Sequence, residues 1–310
     1  MSESAPHKWS APTSLRPIHS TLSIPGSKSA TNRAFVLAAL GDGISRITKP
    51  LLARDTELML AALQKLGCEV TRESDAILIS PMKKAHQDIE IDVGLAGTVM
   101  RFVPPLTALS VGVAHFDGDK RARNRPMKTL IDALKKLKIS VDDQSTGSLP
   151  FSITSDGIVQ GGEVLIDASE SSQFISALLL VAAKFKNGLT IKHNGGNLPS
   201  LPHIEMTIEM LKQVGVIVDS TMKNIWVVKP GAIKSRDWLI EPDLSNAGPF
   251  LAAAMVTKGE VTILDWPAET TQAGKAWREI LSQMGAAISL TTTGLTIKHS
   301  GEIKGININL

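Results

Sequence analysis

The sequence predicts an α/β (α+β) chain of repeated βαβαββ units packed around buried helices. Three observations carry that prediction. Four helix endings share one layout: Leu66-Gly-Cys-Glu-Val70, Leu137-Lys-Ile-Ser-Val141, Val214-Gly-Val-Ile-Val218 and Met284-Gly-Ala-Ala-Ile288. From Gly67 to Lys138 to Gly215 to Gly285 the steps are 71, 77 and 70 residues, a period that marks an internal repeat. Each repeat also opens on small or hydroxyl residues, and each holds an apolar helix followed by an amphipathic one.

The first opening, Pro25-Gly-Ser-Lys-Ser-Ala-Thr-Asn-Arg33, runs into the apolar stretch Ala34–Leu40. Hydroxyls at such a start cap free helix N–H groups. Thr56-Glu-Leu-Met-Leu-Ala-Ala-Leu-Gln-Lys-Leu66 then reads as an amphipathic second helix, closed by a glycine C-cap leading into a strand. The second opening, Leu95-Ala-Gly-Thr-Val-Met-Arg101, precedes the apolar run from Phe102 to Val113. The third, Ala168-Ser-Glu-Ser-Ser-Gln173, precedes Phe174–Ala183, and Glu205-Met-Thr-Ile-Glu-Met-Leu-Lys-Gln-Val214 is its amphipathic partner. The fourth, Asp243-Leu-Ser-Asn-Ala247, precedes Phe250–Met255. First helices that are apolar nearly all round belong inside.

Composition narrows the function. The 310 residues are 43% hydrophobic, enough for one large or two ordinary cores. No run of eighteen apolar residues suggests a membrane span. The opening MSESAPHKWSAP lacks the apolar centre of a signal peptide. The single cysteine, Cys68, forbids an internal disulfide and fits a reducing cytoplasm, with a structural role at a helix end. Net charge is +3 with a pI near 8.9. With 4% aromatics and no tyrosine, base-stacking recognition of nucleic acid is not expected. A small anionic ligand is the better match. The seven histidines show no metal-ligand spacing, and neither dinucleotide nor P-loop glycine patterns occur.

The candidate residues lie at the openings. Lys28 at a helix mouth suits a phosphate as a point charge, and the planar fork of Arg33 suits a carboxylate or phosphate. Free N–H groups and the helix dipole favour anions at the same place. Each residue also has a plainer reading, as cap or solvated surface. The run Asp119-Lys-Arg-Ala-Arg-Asn-Arg-Pro-Met-Lys128 is the densest in basic residues, and such runs are usually solvated. Arg125 differs because Pro126 holds it extended at a helix start. Ser171, Ser172 and Gln173 could grip hydroxyls or a phosphate. Ser200 and His203 open another helix.

PGSKSATNR, LAGTVMRF, DGDKRARNRPM, DASESSQF, SLPHIEMT and EPDLSNAGPFLAAA, in this order, resemble the 5-enolpyruvylshikimate-3-phosphate synthases. The resemblance implies the enolpyruvyl transferase fold. It also implies transfer of the enolpyruvyl group of phosphoenolpyruvate to the 5-hydroxyl of shikimate 3-phosphate, releasing phosphate, by addition and then elimination. Lys28 matches the lysine that contacts phosphoenolpyruvate and moves a proton. Ser29 and Arg33 match shikimate-phosphate ligands, and Gly97 the glycine whose backbone approaches phosphoenolpyruvate. Arg125 matches an arginine on its charged groups. Ser171, Ser172 and Gln173 match the shikimate-phosphate grip, Gln173 also near the reacting centre. Ser200 matches a further phosphate ligand, and His203 stands where many members have tyrosine. Leu95 stands where many have asparagine. No cofactor or metal is implied, the expected form is a cytoplasmic monomer, and glyphosate is the family inhibitor.

The resemblance further implies six units in two domains. Residues 22–235 read as a complete three-unit domain that binds shikimate 3-phosphate. Residues 1–21 plus 236–310 read as a partial second domain. The chain is thus expected to be a C-terminally truncated relative that lacks the general base and is nearly inactive alone. Two alternatives stand beside this reading: a non-catalytic anion-binding fragment, and a UDP-N-acetylglucosamine enolpyruvyl transferase.

Overall fold

The computed structural model describes residues 10, 13–14, 16–85 and 88–308. The reading of Met1–Pro12 as carrying no signal peptide lies, except for Ser10, outside them. In chain order the first elements are β1 (His19–Leu22), α1 (Lys28–Leu40), β2 (Ser45–Thr48), α2 (Arg54–Lys65), β3 (Val70–Arg72) and β4 (Ala76–Ile79). Next come β5 (Ile89–Asp92), α3 (Gly97–Thr107), β6 (Val111–Asp117), α4 (Lys128–Lys136), β7 (Ser140–Asp142) and β8 (Phe151–Asp156). These are followed by β9 (Gly162–Ile166), α5 (Gln173–Ala182), β10 (Leu189–His193), α6 (Leu201–Gln213), β11 (Val218–Asp219) and β12 (Ile225–Val228). The last are β13 (Trp238–Leu239), α7 (Leu244–Val256), β14 (Glu260–Leu264), α8 (Trp277–Gln283), β15 (Ala286–Leu290) and β16 (Gly294–His299).

The strands form four sheets of one design, ordered β13-β2-β4-β3, β5-β6-β8-β7, β9-β10-β12-β11 and β1-β14-β16-β15. In each, the outer strand runs parallel to its neighbour, and the other two pairs are antiparallel. In the second and third sheets the apolar helices α3 and α5 supply the crossover that joins the parallel pair. The second helix carries the chain to the far edge, and a turn brings the last strand back between.

Two opening strands are exchanged along the chain. β1 joins the fourth sheet, with His19 opposite Glu260. β13 joins the first, with Trp238 opposite Ile47. The chain accordingly divides into two compact units, Pro25–Asp243 with Thr270–Ala273, and the residues up to Ile24 with Leu244–Glu269 and Gly274–Leu310. The expected boundary at 235 therefore moves to 243, because Trp238 and Leu239 complete the first unit's sheet.

Within Pro25–Asp243, α1, α3 and α5 form the centre. Thr31–Leu40 of α1, all of α3 and Phe174–Ala182 of α5 are buried. α3 packs on α1 and α5, and α6 packs on α1 and α5. α3 keeps its helix through Pro104 and Pro105, and Thr107 Oγ1 donates to the Pro104 carbonyl at 2.8 Å. The amphipathic α2 and α4 lay one apolar side on this core. In the other unit α7 packs on β14 and β16. It buries Leu244, Ala247, Leu251, Ala254 and Met255, while Phe250 and Val256 on its other side are exposed.

The repeated helix endings share a backbone state. Gly67, Lys138, Gly215 and Gly285 have φ of 85°, 65°, 86° and 99°. That left-handed turn terminates a helix and is easiest for glycine.

Candidate active site

All the sequence-derived candidates fall in the unit Pro25–Asp243. Ser27 caps α1, its Oγ accepting from the Ala30 N–H. Lys28 follows, with its backbone N–H toward Asp243 Oδ2 at 3.4 Å and its Nζ on Asp55 Oδ2 at 3.1 Å. The Lys28 side chain is 48% exposed, so this pair is worth about 0.2–1 kcal/mol and can open for a stronger anion. Ser29 is half-buried, and its carbonyl accepts from Arg33 Nη1 at 2.9 Å.

Arg33, expected to bind shikimate phosphate, is held among three helices. It is 1% exposed. Nε donates to Thr207 Oγ1 at 2.7 Å, and Nη2 to Ser176 Oγ at 3.2 Å and the His203 carbonyl at 3.0 Å. The guanidinium also lies 5.2 Å from the Phe102 ring centroid. Burial pulls its pKa down to about 9, so it stays charged at neutral pH. Arg33 sits a full turn inside α1, where its fork meets α5 and α6 before it meets solvent.

His203, in the first turn of α6, accepts at its carbonyl from Arg33 and Thr207. Burial first, then the Arg33 charge, hold its imidazole below the usual histidine range, against the pull of Asp243. Ser200, just before α6, is exposed and takes a left-handed φ of 52°.

The second cluster forms where α3 and α5 begin. A Cβ built on Gly97 would lie 2.8 Å from Arg125 Nη2 and 3.0 Å from Arg101 Nη1. Two guanidiniums therefore converge over this glycine, and any larger residue would push them apart. Arg125 is extended, with φ −85° and ψ 143°, as the following proline requires. Its Nη1 donates to the Leu95 carbonyl at 2.6 Å. Arg101 Nη1 donates to Gln173 Oε1 at 2.8 Å, and its guanidinium lies 5.3 Å from the Phe174 ring. Arg101 Nε is buried without a partner. Burial, then the Arg125 charge, pull the Arg101 pKa down to about 10. Among the described residues neither arginine lies within ion-pair distance of a carboxylate.

Ser171 Oγ accepts from the Gln173 N–H at 3.3 Å. Ser172, 3% exposed, precedes α5 without a side-chain capping bond. The two clusters are tied together: Asn32 Nδ2 of α1 donates to Thr98 Oγ1 of α3 at 2.8 Å. Arg33 links α1 to α6, and Arg101 links α3 to α5. Four helix starts are thus joined by hydrogen bonds, with their positive dipole ends together.

From the sequence Arg101 counts only as one of the basic residues at the helix openings that favour an anion, without a role of its own. Its signal was available, since Gly97 and Arg101 are four apart on one helix and share a face. Of the basic run, Arg123 pairs with Asp117, Lys128 with Asp132, and Asp119 with Arg54. Those pairs form an exposed charged face, and Arg125 alone of the three arginines in Arg121–Arg125 touches Leu95. Lys28 and Arg33 take different partners, Asp55 and Thr207. An open cleft of about 790 Å³ borders the loop of Ser200, lined by Gly196, Leu201, Glu205, Lys223 and Trp226 among others. Among the described residues no group of three or more His, Cys, Asp or Glu could hold a metal ion, and no helix is long and apolar enough to cross a membrane.

Comparison with known proteins adds three findings. The family described as EPSP synthase (3-phosphoshikimate 1-carboxyvinyltransferase) matches residues 12–310. The 3-phosphoshikimate 1-carboxyvinyltransferase of Mycobacterium ulcerans is 47% identical over 306 residues, and that of Kocuria rhizophila 47% over 313 residues. Each match covers 97% of this chain and 70% of the relative. The matches run through nearly all of this chain, and the expectation of a C-terminally truncated relative is not borne out by them. Two structures of EPSP synthase from Acinetobacter baumannii superpose with a TM-score of 0.79 at 21% identity, covering 95% of this chain and 67% and 69% of theirs. At that identity the likeness is one of fold.

Proposed function

The chain belongs to the EPSP synthase family, and we propose how its residues divide the work of that transferase. The reaction moves the enolpyruvyl group of phosphoenolpyruvate to the 5-hydroxyl of shikimate 3-phosphate and releases phosphate. The rival reading as a UDP-N-acetylglucosamine transferase and that of a non-catalytic fragment draw no support from the comparisons.

The observation that carries the division is the convergence of Arg101 and Arg125 over Gly97. Two adjacent cations, offset only by the more distant charge of Glu170 and with no carboxylate in ion-pair contact among the described residues, repel one another until an anion lies between them. Phosphoenolpyruvate brings a carboxylate and a phosphate, both matched by planar forks. Gly97 lets that anion approach the α3 backbone, whose first N–H groups are free. Ser171, Ser172 and Ser200, with Ser29 and His203, take shikimate 3-phosphate, and Lys28 contacts phosphoenolpyruvate. Gln173 stands between the two groups. Its Oε1 is engaged by Arg101, which leaves its amide N–H groups to donate toward the reacting centre. Lys28 supplies a proton donor at the α1 mouth. Arg33 holds α1, α5 and α6 in register beneath the shikimate-phosphate ligands. Charge developing during addition and elimination would be stabilised by donors already in place.

Residues 25–243 act as the shikimate-phosphate-binding domain in this reading. The protein works as a monomer in the cytoplasm without a cofactor, in keeping with small, soluble substrates. Calorimetric titration tests the division of roles. Shikimate 3-phosphate should bind first, and phosphoenolpyruvate then adds to that complex. Arg125→Ala should abolish the second step and spare the first. Loss of the first step with the second retained would sink the assignment.

A further inference from the structure

We infer that His193 is a positioning residue, clamping the loop of Ser171 and Ser172 to the loop of Ser200 so that the phosphate-binding hydroxyls share one register. The inference rests on the reading of those serines as ligands of shikimate 3-phosphate.

His193 ends β10 and is 7% exposed. The Ala168 N–H donates to its Nδ1 at 3.1 Å, and its Nε2 lies 2.8 Å from the Gly196 carbonyl. One neutral tautomer satisfies both contacts, with Nδ1 accepting and Nε2–H donating. The other tautomer would turn Nδ1–H to the Ile166 carbonyl at 3.3 Å. That carbonyl already accepts from the Asn194 N–H at 3.2 Å. The Ala168 N–H would lose its acceptor, and a lone pair would face the Gly196 oxygen. The surroundings therefore select the tautomer that bridges the loops.

The bridge leads directly to the candidate ligands. The Ala168 carbonyl accepts from the Ser171 N–H at 3.1 Å. On the other side, Gly196 begins the five residues that end at Ser200. The same loops meet a second time. Asp167 Oδ1 accepts from the Ser169 N–H at 3.0 Å and from Ser169 Oγ at 2.6 Å. A Cβ on Gly195 would fall 1.7 Å from that oxygen, so only glycine allows this approach. No substrate contact is assigned to the imidazole. It acts on the site through the backbone of Ala168 and Gly196.

The test is titration of the protein with shikimate 3-phosphate at 25 °C, with folding checked by circular dichroism and melting temperature. The variants are His193→Leu, His193→Asn, Ser171→Ala and the double variant His193→Leu/Ser171→Ala. His193→Leu should weaken binding about tenfold, because small displacements of positioned groups cost that much or more. His193→Asn, whose amide reaches the Nδ1 position, should recover most of the loss. The double variant should lose less than the product of the single losses, as coupled sites do. A purely structural role would lower the melting temperature and leave affinity and coupling unchanged. Affinity of His193→Leu within twofold of the parent, with Ser171→Ala still weak, would overturn the clamp alone. Should His193→Leu fail to fold, affinity of His193→Gln, whose amide lies near Nε2 and leaves the Ala168 N–H without its acceptor, within twofold of the parent would overturn it instead. Unchanged affinity of Ser171→Ala would overturn the ligand reading itself.

Discussion

Arg101 Nη1 donates to Gln173 Oε1 at 2.8 Å, so the start of α5 is oriented by a cation from α3. The arginine is buried, and a second guanidinium, that of Arg125, presses on it. The amide of Gln173 is a neutral partner: it fixes Arg101 without cancelling its charge.

Gln173→Glu should cancel it. The carboxylate would pair with Arg101 and compete with any bound anion. Phosphoenolpyruvate affinity in the presence of shikimate 3-phosphate is expected to fall more than about tenfold, since every 1.4 kcal/mol is a factor of ten and a part-buried ion pair exceeds that. Calorimetry reads this directly. Affinity equal to the parent's would show that Arg101 does not face the ligand.

Arg33 offers a test of charge against shape. Its fork spans Thr207, Ser176 and the His203 carbonyl, with no carboxylate on any of them. Arg33→Lys keeps the buried charge and loses the fork, since an ammonium cannot reach all three. Arg33→Met loses both but also loses the desolvation penalty. We expect Arg33→Lys to cost about 2–3 kcal/mol in urea unfolding and Arg33→Met to cost less. The reverse order would mean that the charge itself stabilises the fold.

His203 should give stability a pH dependence. Burial and Arg33 lower its folded pKa below the unfolded value. Between the two values the unfolded chain binds more protons, so stability rises with pH there. The contribution is fully present above the unfolded value near 6.5. It is lost as pH falls from there through the folded value. Urea midpoints measured from pH 7.5 to pH 5 should decline more steeply for the parent than for His203→Phe. Parallel profiles would assign the decline to other groups.

Lys138 stands where the other three repeats have glycine, at φ 65°. A side chain in this left-handed state costs about 1 kcal/mol, partly offset by the greater entropy of an unfolded glycine. Lys138→Gly should therefore raise unfolding free energy by a few tenths to about 1 kcal/mol. A loss in urea unfolding would show that the lysine side chain contributes more than its backbone costs.

Much of this molecule was written locally. The left-handed turns at Gly67, Gly215 and Gly285 follow from glycine after an amphipathic run, because a helix end is decided within a few residues. The burial of α1, α3 and α5 follows from their apolar faces all round. Arg125 was legible through Pro126, which constrains the preceding backbone wherever it occurs.

Other features have no local cause. Trp238-Leu239 is too short to announce a strand, and only its pairing with Ile47 and Thr48, far away in sequence, places it in the first sheet. Arg33 and Arg101 are the same residue type on similar helices. Burial against Thr207 and Ser176 makes one a brace, and the approach of Arg125 places the other over Gly97. The sequence by itself determined the repeat, the helix ends and the gathering of donors at helix starts, all set by neighbours along the chain. Tertiary structure alone decided which strand completes which sheet and which arginine stands over Gly97. Hydrogen-bond partners brought from distant segments, and the water they exclude, settle those matters.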